Sequence, residues 1–389
     1  MVKDVTSTVK YIGVDDTNLD LFESQYYLPA GMAYNSYVIL DEKVAIMDTV
    51  DKRVGDEWLV NLKKVLGERK PDYLVVHHME PDHSALIQKV LEDYPECMIV
   101  CSKRAVSMLS AFFVGFDFTG RIIEANEKEP LSLGQHSLKF IAAPMVHWPE
   151  VIVSYDETDK ILFSADAFGK FGALCNETED WACEARRYYF NICGKYGTMV
   201  QNLLKKASAL DIQIICPLHG PILKENLSYY IGLYNTWSNY EVETPGTLIA
   251  YASIHGNTAE AANKLAEILK ARNAGKVAIT DLSRDDQAEA IEDAFRLGNL
   301  VLAASSYDGG LFPPMYNFIH KLEIKGYQKR RVAIIENGSW APSAGKVMKS
   351  MLETMKELEI LEPVITIRGK MKPADEEKLN ELADLIVAK

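Results

Sequence analysis

The sequence has no apolar run approaching the roughly 18 residues needed to cross a bilayer, no CxxC pair and no excess of basic residues. The first absence argues against a membrane-spanning helix. Met1 to Gln25 is too polar and acidic for a signal sequence, so the chain is expected in the cytoplasm. The six cysteines (Cys97, Cys101, Cys175, Cys183, Cys193 and Cys216) lie apart in a chain too large to need disulfide staples. They read as buried free thiols. Forty-two Lys and Arg against 55 Asp and Glu leave a net charge of −13, which argues against a nucleic-acid partner. Also missing are a G-x-G-x-x-G fingerprint, a Walker lysine, internal repeats and low-complexity segments. What is present is an ordinary globular composition, 48% hydrophobic and 25% charged, over 389 residues. That length favours two domains over one core.

The first part of the chain is strand-rich. YNSYVIL and VAIMDTV flank the acidic turn Asp41-Glu42-Lys43, which predicts a β-hairpin from Tyr34 to about Asp48. Apolar, β-branched runs predict further strands at Tyr73–His77, Met98–Cys101, Leu138–Ala142, Val151–Tyr155, Ile161–Ser164 and Ile212–Cys216. Helices are expected near 52–66, 84–94, 104–113 and 196–209. After an aromatic helix around Lys224–Tyr240, the polar stretch Glu241–Gly246 places Pro beside Gly. A domain boundary there divides the chain into residues 1–243 and 244–389. Beyond it LIAYAS, KVAIT, NLVLAAS, RVAIIE and PVITI alternate with helical segments near 258–272, 285–296, 314–324, 342–358 and 374–387. Regular alternation of this kind predicts an α/β fold with a doubly wound parallel sheet.

The densest chemistry is His77-His78-Met79-Glu80-Pro81-Asp82-His83, directly after the apolar run YLVV. His78, Glu80 and Asp82 fall at alternate positions with His83 adjoining, so several side chains can aim at one point. Buried imidazoles and carboxylates are costly unless paired or coordinated. His147, Asp166 and His219 each occupy a similar position after an apolar strand. One such His or Asp alone is most often a hydrogen-bonded core residue. Seven together exceed a tetrahedral zinc site and suit two adjacent metals with a bridging carboxylate and open positions. Four imidazoles and three carboxylates, without thiolate, suit iron or manganese and also permit zinc. His77 is set aside as a neighbour by strand alternation.

In the second half, Ser253-Ile254-His255-Gly256-Asn257-Thr258 follows a strand and opens a helix, where backbone amides and the positive helix end can surround a phosphate. Ser305-Ser306-Tyr307-Asp308-Gly309 and Asn337-Gly338-Ser339-Trp340 follow two later strands. In an open α/β sheet such loops share one edge, so all three can converge on one ligand, which the first loop's resemblance to a flavodoxin phosphate loop implies is FMN. The glycines admit backbone amides to a ring edge, while Trp340 or Tyr307 can stack on its face.

H-x-E-x-D-H, followed by His147, Asp166 and His219, resembles the flavodiiron proteins, the A-type NO and O2 reductases, and the resemblance runs through nearly the whole chain. It implies a metallo-β-lactamase-like αβ/βα domain followed by a flavodoxin-like domain, the first loop of the second half being similar to a flavodoxin phosphate loop. By residue-by-residue match, His78, Glu80, His147 and Asp166 would hold one iron, and Asp82, His83, Asp166 and His219 the other, with Asp166 bridging. The resemblance makes Tyr196, in GKYGTMV, a pocket proton donor. Two departures are visible: Phe22-Glu23 where several relatives have a His after Phe, and Ser306-Tyr307 where related flavin loops have Pro-Thr.

Two ferrous ions and one reduced FMN together supply about four electrons, enough to reduce O2 to water or to couple NO into N2O. Reduction of O2, NO or both is therefore the expected reaction. With no CxxC pair or nicotinamide fingerprint in the chain, electrons are expected from an external donor, for which the family suggests rubredoxin or another small carrier. The family also implies a head-to-tail homodimer or a dimer of dimers, each flavin lying near the partner's metals. The alternative is a binuclear metal-dependent hydrolase of the metallo-β-lactamase fold with a flavodoxin-like accessory domain. Glu80 argues against it, because hydrolytic relatives usually have His there and a carboxylate favours higher iron oxidation states.

Overall fold

The computed structural model describes residues 2–176 and 180–388. The chain divides into two compact units, Met1–Asn235 and Thr236–Lys389.

The first unit is built on two sheets. The seven-stranded sheet runs Lys3–Asp4, Val9–Tyr11, Tyr37–Leu40, Val44–Met47, Tyr73–Val76, Met98–Cys101, Ile122–Glu124. The five-stranded sheet runs Leu131–Ser132, Ser137–Ala142, Ile152–Asp156, Ile161–Phe163, Ile214–Cys216. Alternate residues of each strand share a face, and here Tyr37, Ile39, Ala45, Met47 and Val75 pack against Leu138, Phe140, Ile161 and Phe163 in one core. The intervening Val38, Ile46, Leu74 and Ile99 are buried as well, so the opposite face of the first sheet is also covered. Helix Gly55–Leu66 shows how amphipathic spacing supplies such a cover: Trp58, Leu62 and Leu66 recur every four residues and are buried. This double-sheet α/β arrangement is metallo-β-lactamase-like.

The expected hairpin forms between Tyr37–Leu40 and Val44–Met47, with Tyr37 opposite Met47 and Leu40 opposite Val44. Tyr34 lies outside it, in Met32–Tyr34 paired with Val14–Asp16. The strand breaks at Asn35, whose backbone N–H donates to the Leu218 carbonyl at 2.8 Å and whose side-chain amide donates to the carbonyls of Pro217 and Gly220, both at 2.8 Å. A helix at Trp181–Ile192 was not expected from the sequence. It is capped by the Asp180 carboxylate, which accepts from Ala182 N–H at 3.0 Å. Its apolar stripe is masked because Arg186 and Arg187 are buried among the aromatics.

The second unit carries a sheet in the order Lys276–Asp281, Thr244–Ala252, Leu297–Tyr307, Arg331–Asn337, with Ile365–Ile367 at the far edge, and these strands are parallel. Numbered along the chain this is 2-1-3-4-5, the flavodoxin-like order. Helices Asn257–Ala271 and Pro373–Val387 bury Ala262, Leu265, Leu269, Leu379, Leu382 and Ile386 against Ile249, Val301 and Ile335. The helix expected over 342–358 spans only Ala344–Leu352. Leu352 is its last buried anchor, and Glu357 has left helical backbone with φ of 51°. Chain order reverses between Thr244–Ala252 and Leu297–Tyr307, and a ligand crevice lies at the carboxyl ends of such strands.

Candidate metal centre and flavin pocket

At the end of strand Tyr73–Val76 two successive histidines diverge. His77 turns into the core: its N–H donates to Asp48 Oδ1 at 2.7 Å, while its ring lies 2.5 Å from Asp48 Oδ2 and 2.7 Å from Ser154 Oγ. It is a brace with both ring nitrogens used. His78 points the other way and joins Glu80, while the short helix Pro81–Ser84 carries Asp82 and His83. Thr49 holds that helix by donating N–H and hydroxyl hydrogen bonds to the His83 carbonyl.

His147 and Asp166 follow strands Ser137–Ala142 and Ile161–Phe163, and His219 follows Ile214–Cys216. Close packing fixes the last two: a Cβ on Gly169 would lie 2.9 Å from the Asp166 carbonyl and 3.3 Å from His219 Cβ. A larger residue at Gly169 would displace both loops.

All seven side chains converge as two adjoining groups, His78, Glu80, His147 and Asp166 in one and Asp82, His83 and His219 in the other. In the first, His147 Nε2 lies 3.1 Å from Glu80 and 3.0 Å from Asp166 Oδ2, and His78 Nε2 lies 3.2 Å from Glu80. In the second, His83 Nε2 lies 3.2 Å from Asp82 and 3.3 Å from Asp166 Oδ1, and His219 Nε2 lies 3.4 Å from Asp82. Asp166 thus turns one oxygen to each group.

The donor chemistry supplies a test of metal binding. Both carboxylate oxygens of Asp82 and of Asp166 are buried without a hydrogen-bond partner. Such groups are costly in a dry interior unless a cation meets them. Imidazole nitrogens also face each other, His83 and His219 at 3.0 Å and His78 and His147 at 3.3 Å. Two ligands roughly 2.1 Å from one cation and about 90° apart would be about 3.0 Å from each other. The residues fit a pair of cations, the more so as the group is acidic. Burial disfavours a charged imidazole, yet Asp82 and Asp166 lift His83 to about 10, and Asp166 and Glu80 lift His147 to about 9. Burial alone would raise the carboxyls of Asp82 and Asp166, but the neighbouring imidazoles hold both below the carboxylate range. Cations would replace those protons.

A small cavity beside the centre is lined by Val146, His147, Asp166, Ala167, Tyr188, Ile192, Cys193 and Tyr234. Tyr196 does not line it; the residue is half-buried and immediately precedes helix Gly197–Ala207. Tyr188 does, from the unexpected helix. Its hydroxyl is buried without a partner, and its ring packs 5.5 Å from that of His219. Burial, followed by Asp166, Glu80 and Asp82, keeps that hydroxyl protonated far above the usual tyrosine range. Phe22 sets its ring edge-on to His219 at 5.6 Å. A third group, His136, Asp156 and Asp159, is a satisfied hydrogen-bond network. His136 bridges Asp156 and Thr8, both at 2.9 Å, and Asp159 accepts from Thr6 at 2.5 Å.

In the second unit the three strand-end loops enclose a cavity of about 560 Å³. It is lined by Ser253, His255, Asn257, Thr258, Ser305, Ser306, Tyr307, Asp308, Gly309, Asn337, Gly338, Ser339 and Trp340, together with Gly369, which sequence reasoning missed. Gly256 is outside the lining and shapes the turn, with φ of 90° and its N–H donated to Ser253 Oγ at 3.1 Å. Several side chains are already engaged. Ser306 Oγ accepts from Ser343 and Ala344 N–H at 2.8 and 3.2 Å, and Asn337 exchanges two hydrogen bonds with Gly369. Helix Asn257–Ala271 starts at this cavity and leaves first-turn amides without intrahelical partners. Such amides can receive a phosphate, and the size suits a mononucleotide cofactor. Trp340, 89% exposed, stands at the mouth.

Residues 32–220 match the model of the ODP family beta lactamase, and residues 248–364 match that of a flavodoxin domain. The nitric oxide reductase of Moorella thermoacetica is 27% identical, covering 99% of this chain and 98% of that protein. The anaerobic nitric oxide reductase flavorubredoxin of Vibrio vulnificus is 25% identical over 95% of this chain and 76% of its own length. Among solved structures, the rubredoxin oxygen:oxidoreductase of Desulfovibrio gigas superposes with a TM-score of 0.93 at 23% identity, covering 100% of this chain and 98% of the other. The last comparison shows a shared fold.

Proposed function

The chain belongs to the flavodiiron proteins, and from that premise we propose that it is an oxidoreductase reducing O2, NO or both, with FMN relaying electrons to a two-iron centre. The observation that carries this reading is the buried cluster in which Asp166 turns one unpartnered oxygen to each of two ligand groups. When bound, iron and FMN supply the electrons and the Lewis acidity.

His78, Glu80 and His147 would hold one iron, Asp82, His83 and His219 the other, and Asp166 both. Glu80 supplies the carboxylate that supports an oxidised iron. Tyr188 holds a proton beside Asp166 and is placed to donate a hydrogen bond to a small oxygen-bearing molecule in the adjoining cavity. Val146 and Ile192 give that cavity apolar walls that disfavour bulk water. At the other site, the first-turn amides of helix Asn257–Ala271 would receive the FMN phosphate, and Gly309 and Gly338 would let backbone approach its ring.

Electrons arrive from an external carrier of the rubredoxin type. A head-to-tail pair of chains, each FMN near its partner's irons, completes the proposal and rests on the family's arrangement. No helix among the described residues is long and apolar enough to cross a membrane. The test is anaerobic reduction with a mediator followed by O2 or NO. The reading expects consumption of at least one of them by iron- and flavin-loaded protein; consumption of neither overturns it.

A further inference from the structure

The two halves of the metal cluster differ behind their histidines. His78 Nδ1 lies 2.7 Å from Glu150 Oε1, and a carboxylate oxygen can only accept, so His78 donates its Nδ1 proton to Glu150 and Nε2 is the nitrogen that faces the cluster. Glu150 is itself fixed. The same oxygen accepts Met79 N–H at 2.9 Å, and the Glu150 carbonyl accepts from Ser102 Oγ at 2.6 Å. Its side chain is 0% exposed and Oε2 has no partner, so its charge is directed through His78 and not spread into water. The other half has no such support. His219 Nδ1 donates to the neutral Ala33 carbonyl at 2.8 Å, and His83 Nδ1 is buried without a partner.

We infer that Glu150 is a positioning residue which locks His78 as an Nε2 ligand and makes the half of the centre formed by His78, Glu80 and His147 the more electron-rich of the two. The ligand sets alone do not give this asymmetry, since each half has one carboxylate of its own and shares Asp166. A carboxylate behind a ligating histidine raises its basicity, and losing one typically weakens metal binding about 10- to 100-fold. The inference rests on the two-metal reading proposed above, but its primary test needs neither iron nor turnover.

Full-length metal-free protein is titrated with Co(II) alone, following the visible d–d bands, for wild type, Glu150→Gln and Glu150→Asp. Glu150→Gln is expected to weaken one of two binding steps by roughly 10- to 100-fold and leave the other within about threefold. Glu150→Asp, which keeps the carboxylate, is expected to fall between. In iron-loaded protein, Glu150→Gln is expected to raise the second reduction potential more than the first, narrowing the range over which the half-reduced EPR signal is seen. Equal weakening of both steps, no weakening of either, or equal movement of the two potentials would overturn the assignment. Wild type that takes up two Co(II) ions but reduces neither O2 nor NO when iron-loaded would sink the proposed function and leave this test readable.

Discussion

The metal cluster and the flavin pocket show two ways of building a site. In the first, seven charged or titratable side chains, all but Glu80 buried, are aimed inward, and the Asp82 and Asp166 carboxylates have no hydrogen-bond partner. In the second, polar side chains largely hold the protein's own loops, as Ser306 and Asn337 do, and backbone amides are left for the ligand. A cation is selected by the identity of its donors and a flavin by the shape of the backbone around it. The cluster should therefore fail on loss of one functional group, and the pocket on a change of backbone space.

The largest expected effect is at the shared carboxylate. Asp166→Ala removes a donor from both groups, and since losing a residue that only hydrogen-bonds to a ligand costs about 10- to 100-fold, turnover should fall by more than about 100-fold. Metal analysis should show both ions depleted and FMN retained; full iron occupancy would break the comparison. In the pocket, a Cβ on Gly338 would come within 2.7 Å of Pro342 Cα and 3.0 Å of Ser306 Oγ. Gly338→Val should cost about 1–3 kcal/mol in overpacking and reduce FMN retention roughly tenfold, with iron content unchanged. Ser306→Ala tests the opposite side of the contrast. It removes the acceptor for two N–H groups at the start of helix Ala344–Leu352, a loss of about 1 kcal/mol. The melting temperature should drop by roughly 2–4 °C with little change in FMN affinity.

The smallest effect concerns His136, which belongs to neither site. Its hydrogen bond to Asp156, opposed by burial, raises its pKa above the free imidazole value of about 6.5. The stability it contributes is complete below that pH and disappears as pH climbs through the raised value. Thermal melts of wild type should decline over that window, and His136→Asn should flatten the decline without altering metal content.

The same contrast explains what could be read before folding. Residues set by chemistry stood out: His78, Glu80, Asp82 and His83 alternate in one short motif, and His147, Asp166 and His219 end apolar strands. The regular strand and helix rhythm after Gly246 made the second fold legible. Glu150 left no signal, because a carboxylate three residues after a ligand looks like any loop acid until its contact with His78 is seen. Tyr188 gave no signal because its helix hides behind buried arginines, and Tyr196, the tyrosine to which the resemblance points, does not line the cavity. Gly369 was missed because a glycine that lines a pocket by its backbone has no side chain to advertise it. Register breaks such as the one at Asn35 depend on partners about 180 residues away, beyond any local pattern.

The most direct test of the central claim is an anaerobic redox titration of purified protein together with its iron and flavin content. The account requires about two irons and one FMN per chain, reduced by about four electrons and reoxidised by O2 or NO. Zinc in place of iron, or a reduced protein that neither gas reoxidises, would contradict it.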